Sequence, residues 1–304
     1  MMGRRVRALA VATTCAVALL GLGAPSAIAD PGPTPPPRDN TSTETVYLVK
    51  GYDPDGRPGV NCASRWDGAI SAMKRWGWKG DFVRVGFYTG DKKKNGCDIN
   101  LAKRDGTRDL GIKELGRRLA WNIHLNHSRW DRSVDLVGHS MGSLIIRAAL
   151  AGTQRQEKGW PPYIYVEDAV TLGGPHYGSR WATVCKELQA YQQCVDISYP
   201  SKFQSWLHTT GVPQSEQGTD WTLVGSKADT TVHSNSAVPD QDGAPHLVLY
   251  TASSRIEHSQ LRQIAYGWWP MRYSDNGGSS WANDSSGAAP LRVAFNALYW
   301  ESKW

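Results

Sequence analysis

Short apolar runs alternate with longer stretches of helical periodicity along most of the chain. Val46, Tyr47, Leu48 and Val49 form a continuous apolar run ending at Gly51, as in a strand buried on both faces. The next stretch is helical: Asn61 can cap its start, and Ala69, Ile70, Met73 and Trp76 recur at helical spacing before Gly77. The alternation repeats with 82–88 as strand, 110–125 as helix, 134–137 as strand and 144–151 as helix. Runs at 166–172, 221–224 and 247–250 complete six predicted strands. This rhythm is that of an α/β fold, in which right-handed crossovers stack the strands into a mostly parallel central sheet with helices on both faces.

Two stretches break the rhythm. Residues 178–220 mix aromatic and polar positions, including Trp181, Leu188, Tyr191, Phe203, Trp206 and Leu207, and contain Cys185 and Cys194. A loop of that length inside a compact domain is functional or separately structured. Residues 266–290 hold Trp268, Trp269, Tyr273 and Trp281 among glycines and serines, which suits an aromatic-anchored loop or, as the alternative, an aromatic surface that contacts substrate.

The amino terminus changes the picture of the whole chain. Arg4, Arg5 and Arg7 precede an apolar stretch from 8 to 22 that ends in Ala27, Ile28 and Ala29, the layout of a secretory signal cleaved before Asp30. Arg4 and Arg5 also raise twin-arginine export, although the residues around them fit that pattern poorly. The apolar stretch is too short for a good membrane anchor, so residues 1–29 read as a signal peptide and the product as secreted. Residues 30–45 are rich in proline and charge and read as a disordered leader, with the domain at 46–304.

Export gives the cysteines a meaning. Cys15 leaves with the signal, and Cys62, Cys97, Cys185 and Cys194 remain. An even number in an oxidising compartment favours two disulfides, with three connectivities open; pairing along the chain, Cys62 with Cys97 and Cys185 with Cys194, is the simplest. Zinc-ligand spacing is absent. The net charge of +6 falls to +3 without the three signal arginines, and the lysine run at 92–94 lacks interleaved aromatics, so nucleic acid is not implied.

The chemistry centres on Gly138, His139, Ser140, Met141 and Gly142, a GxSxG motif directly after one predicted strand and before a helix. So tight a turn strains the serine backbone and leaves no space for a Cβ at the flanking glycines. Ser140 is thereby presented at the carboxyl edge of the sheet as a nucleophile. With TLGGPHYGS at 171–179, the GHSMG motif resembles secreted, actinomycete-like bacterial lipases and esterases of the α/β-hydrolase superfamily. The resemblance implies the α/β-hydrolase fold, acyl transfer to water, an oxyanion hole, and neither metal nor organic cofactor.

A serine hydroxyl needs a histidine to take its proton and a carboxylate to orient that histidine. In this fold the acid follows a late strand and the histidine the last one. His258, eight residues beyond Tyr250, fits; His246 precedes the strand. Asp229 occupies the position where the resembled lipases keep their acid, while Asp240 and Asp242 lie further along that loop and Glu257 adjoins the histidine. The family implies oxyanion donors at the amides of Met141 and Tyr52, where Gly51 matches the usual His-Gly and Lys50 replaces its histidine. Ser143 replaces a second glycine found in many relatives. His139 should pack beside the sheet and His176 should order the loop beneath the pocket. Asp53, Asp55 and Gly56 resemble the opening of a calcium loop, but Ser64 stands in place of the bidentate glutamate and a turn is the better reading.

The expected function is secreted cleavage of carboxylic esters through an acyl-enzyme on Ser140. Ester or lipid is the partner, with transient contact at a lipid interface and no obligate protein partner implied. An acyltransferase or amidase would use the same triad, and a non-catalytic polymer-binding module would rest on the tryptophans instead. Residues 178–220 are expected to form a cap whose apolar residues, Trp181, Leu188, Phe203 and Trp206, border the acyl pocket, the alternative being a satellite core that never touches substrate.

Overall fold

Successive residues of each central strand point to opposite faces of the sheet. In chain order the elements are β1 (Thr45–Val49), α1 (Cys62–Arg75), β2 (Phe82–Gly86), β3 (Ile99–Asn100), α2 (Ile112–Asn126), β4 (Val134–His139), α3 (Met141–Gln154) and β5 (Val166–Leu172). They continue with α4 (Arg180–Gln189), α5 (Gln192–Ile197), α6 (Lys202–Leu207), β6 (Asp220–Ser226), α7 (Ser234–Ala237), β7 (His246–Tyr250), β8 (Trp268–Ser274), β9 (Ala282–Ala288) and α8 (Pro290–Ala297). The computed structural model describes residues 34–53, 61–102, 104–209, 211–299 and 304. The signal segment, positions 30–33 of the leader and the Asp55–Gly56 part of the calcium-like loop lie outside the described residues.

Among the described residues one sheet has the strand order β3-β2-β1-β4-β5-β6-β7-β8-β9. Pairing is parallel from β3 to β7 and antiparallel in the β7–β8 and β8–β9 pairs. The six expected strands form its centre, and β3, β8 and β9 extend it to nine. Tyr47, Val49, Leu136, Ala169, Leu223 and Leu249 join the core under α2 and α3. Their neighbours Val46, Leu48, Val137, Val170, Val224 and Val248 join the core under α1 and α8. Asn61 caps α1, its side chain accepting the Ser64 amide at 3.3 Å.

The unit described runs from Pro35 to Trp304. Part of the stretch expected to be a loose leader is strapped across the amino-terminal ends of the strands. The Arg38 guanidinium reaches Asp168 at 3.5 Å, and the Asp39 amide donates to Glu167 at 3.0 Å. The Ser42 carbonyl accepts the amides of Lys79 and Gly80 at 2.7 and 2.9 Å. No helix among the described residues is long and apolar enough to cross a membrane.

Candidate active site

Ser140 links β4 directly to α3 with φ 55° and ψ −129°, a backbone region that a side-chain-bearing residue occupies only when its surroundings enforce it. The enforcement is steric. A Cβ at Gly142 would stand 2.1 Å from the Val49 carbonyl of β1, and one at Gly138 would stand 2.7 Å from the backbone of Gly142 and Ser143. The Ser140 amide donates to the Leu172 carbonyl at 3.0 Å, tying the turn to the end of β5. Ser143 donates its hydroxyl to the Gly138 carbonyl at 3.0 Å and closes the turn from within.

His258 begins a short 3-10 turn after β7. Its Nδ1 lies 2.7 Å from Asp229 Oδ2. Asp229 follows β6, and its other oxygen accepts the amides of Thr231 and Val232 at 2.8 and 2.9 Å. Its side chain is fully buried. The carboxylate therefore has a single orientation, and a proton on Nδ1 leaves Nε2 with its lone pair. That Nε2 is buried with no hydrogen-bond partner among the described residues. No hydrogen bond therefore joins this nitrogen to Ser140 among the described residues.

The structure separates Asp229 from the other acids of its neighbourhood. Asp242 is engaged by the Arg147 guanidinium and by Tyr177 Oη at 2.8 Å. Burial opposes its charge, yet the hydrogen bond from His208 and the Arg147 charge hold its carboxyl well below the usual range. Asp240 and Glu257 are exposed, and Glu257 caps the turn that carries His258.

Two glycines bring the pieces close. A Cβ at Gly51 would stand 2.8 Å from Ser140 Cβ and 3.3 Å from its Oγ, so the loop after β1 lies directly against Ser140. Tyr52 is the next residue of that loop. Met141 is the first residue of α3, where no helical carbonyl can take its amide. A Cβ at Gly173 would stand 3.1 Å from His258 Nδ1, so TLGG supplies the space that the imidazole fills.

Supporting contacts that the sequence did not disclose surround these residues. His139 Nε2 donates to the His258 carbonyl at 3.0 Å, and burial holds its imidazole well below the usual range. His176 is fully buried, with Nε2 3.2 Å from Thr171 Oγ1, and burial with the nearby Arg147 charge lowers its pKa to about 3. The Tyr52 ring packs on Trp181 at 4.8 Å, and its phenol oxygen lies 3.5 Å from Cys194 Sγ. Cys62 is bonded to Cys97 and Cys185 to Cys194, with Cα separations of 5.0 and 5.8 Å.

The insert divides into two parts. α4 carries Trp181 against the Tyr52 ring, with Val184 and Leu188 exposed. α6 turns away: Trp206 stacks on Trp160 at 6.2 Å, receives Lys113 and Arg155 on its face, and hydrogen-bonds Glu157. Phe203 is buried in the core under α3. Of the apolar residues expected on the cap, Trp206 thus packs on the segment after α3 and Phe203 joins the core, whereas Trp181 lies on Tyr52.

Residues 100–196 match a family model described as "Putative serine esterase (DUF676)"; the match spans GHSMG and stops before Asp229 and His258. Comparison with the curated proteins finds no match. Among solved structures, the propeptide form of Bacillus licheniformis lipase BlEst2 is similar at 15% identity and a TM-score of 0.50, covering 89% of this chain and 53% of that one. Aspergillus fumigatus lipase B is similar at 12% identity and a TM-score of 0.47, covering 73% of this chain and 49% of that one. The lin2722 gene product of Listeria innocua is similar at 12% identity and a TM-score of 0.46, covering 73% and 89%. The chain thus spans about half the length of each of the two lipases. At such identities the likeness is one of fold, and that fold is the α/β-hydrolase fold.

Proposed function

We propose that this α/β-hydrolase chain is an exported serine hydrolase that cleaves carboxylic esters through an acyl-enzyme on Ser140. The observation that carries the reading is the pairing of a strained serine at the carboxyl edge of the sheet with a histidine whose Nδ1 is held by a buried carboxylate at 2.7 Å. The family match across the GHSMG turn supports ester chemistry. Two disulfides and the signal-like amino terminus support export.

In this reading Ser140 Oγ attacks the acyl carbon while its proton passes to His258 Nε2. Asp229 keeps the imidazole in the Nδ1-protonated tautomer and stabilises the imidazolium. The oxygen of the tetrahedral intermediate accepts hydrogen bonds from the amides of Tyr52 and Met141. Collapse breaks the bond to the alcohol, which leaves with the proton from Nε2. Water then attacks the acyl-enzyme, gives its proton to Nε2, and the acid departs as Ser140 recovers the proton. No step requires a metal or organic cofactor.

The test is a panel of p-nitrophenyl esters of increasing chain length, with Ser140→Ala as the blank. Turnover should fall by about six orders of magnitude in that variant, and a fluorophosphonate should label Ser140 alone. A variant that still turns over, or label on another residue, sinks the assignment.

A further inference from the structure

Beneath the loop that touches Ser140 lies a buried ion pair that the proposed chemistry does not use directly. Lys50, the last residue before Gly51, is 2% exposed and its Nζ lies 2.7 and 2.9 Å from the two oxygens of Asp91. The ammonium also stands over the rings of Phe87 and Tyr88 at 4.9 and 4.8 Å. Asp91 accepts the amides of Phe87 and Tyr88 at 2.8 and 2.9 Å, so the pair is anchored to the turn following β2. On the far side of the loop the Asp53 amide donates to Tyr88 Oη at 3.3 Å, and that phenol donates to Gln193 at 2.7 Å. The residues on either side of Gly51 and Tyr52 are thus bolted to one turn. The sulfurs of Cys62 and Cys97 lie within 4.8 Å of the Asp91 carboxylate and back it from behind.

A buried ion pair is a poor source of stability, because desolvating two charges offsets most of their attraction and an apolar pair often serves as well. A pair kept at such a place points to geometry. The loop has little slack to begin with, since its Gly51 backs onto Ser140 Cβ. A displacement of a fraction of an ångström moves the Tyr52 amide relative to the oxygen it must bind, and oxyanion donors act only over a narrow range of distance.

We propose that Lys50 is a positioning residue for the oxyanion site, its ion pair with Asp91 fixing the chain at Gly51 and Tyr52 in the geometry that receives the tetrahedral intermediate. This rests on the ester-hydrolase reading and adds to it a role for the buried lysine before Gly51. The side chain does not touch substrate. Its effect falls on the transition state, so kcat should respond and KM should not.

The test replaces the pair by Lys50→Met with Asp91→Asn, which removes both charges and keeps an oxygen for the Phe87 and Tyr88 amides. Active sites are counted by fluorophosphonate labelling so that a misfolded fraction is excluded. Per labelled site, kcat should fall about 10²-fold, comparable to the loss of one oxyanion donor, with KM within about threefold. An alkyl trifluoromethyl ketone, whose adduct with a serine carries the oxyanion, should lose affinity by a similar factor. Should the double variant fail to fold, Asp91→Asn alone keeps the volume and the acceptor and should lose about tenfold in kcat at unchanged KM. An unchanged kcat per site, or an unchanged affinity for the ketone, overturns the role of Lys50. Full turnover by Ser140→Ala would overturn the ester-hydrolase reading instead.

Discussion

Asp229 and His258 stand 29 residues apart in the chain, and the order of strands together with the family resemblance brought them to attention. Two backbone amides fix one oxygen of the Asp229 carboxylate and the imidazole engages the other, so it can hold the ring in one tautomer. Asp229→Asn should lower kcat by on the order of 10⁴ through the wrong tautomer, with circular dichroism unchanged. A mild effect there with a severe one at Asp242 would move the acid along the loop. The motif around Ser140 was legible because each residue of it meets a local demand: a tight turn, a missing Cβ, a helix start. His139 and Lys50 were not legible in the same way. What they do depends on a carbonyl 119 residues away and a carboxylate 41 residues away, and no local pattern encodes such distances.

Buried parallel strands read well because they are nearly continuous apolar runs, whereas β8 and β9 escaped notice for opposite reasons. Pro270 interrupts β8, and Pro is tolerated there because it sits where the β8–β9 register shifts, between Trp269 and Met271. β9 is made of small polar residues and is largely exposed, so neither propensity nor alternation marks it. The insert taught a similar lesson. Its aromatic residues announce burial but not the partner. Trp206→Ala should lower stability by about 2 kcal/mol, less than a fully buried tryptophan, without changing preference among ester chain lengths. Trp181→Ala, beside Tyr52, should change kcat/KM across the same series while leaving the melting temperature within about two degrees. A reversal of the two phenotypes would place α6, rather than α4, at the substrate.

Acid pH acts on the molecule through groups buried in opposite senses. Burial, with the charge of Arg132, lowers the His127 pKa from 6.5 to about 4. Between those values the unfolded chain binds a proton that the folded chain refuses, so stability rises with pH there and is lost as pH falls. Asp135 and Glu167, pushed up by burial, work in the other direction: the folded state takes up protons first, and acidification favours it. The histidine contribution is therefore best read as a difference. His127→Gln should reduce the steepness of the urea-unfolding free energy against pH between 6.5 and about 4 by up to about 1.4 kcal/mol per pH unit. Equal slopes in the two proteins would show that the ring titrates freely in the fold.

The strap of residues 38–44 enters at the amino-terminal ends of the strands, where Arg38 and Asp39 meet Asp168 and Glu167. Ser140 stands at the opposite ends of the same strands, beyond His139. A fusion partner, affinity tag or solid support attached upstream of the strap would therefore hold the molecule by its rear. Ser140 would face outward, so on the proposed ester-hydrolase reading immobilised preparations should keep their access to bulky esters, whereas attachment through the lysine of α4 would turn that side toward the support.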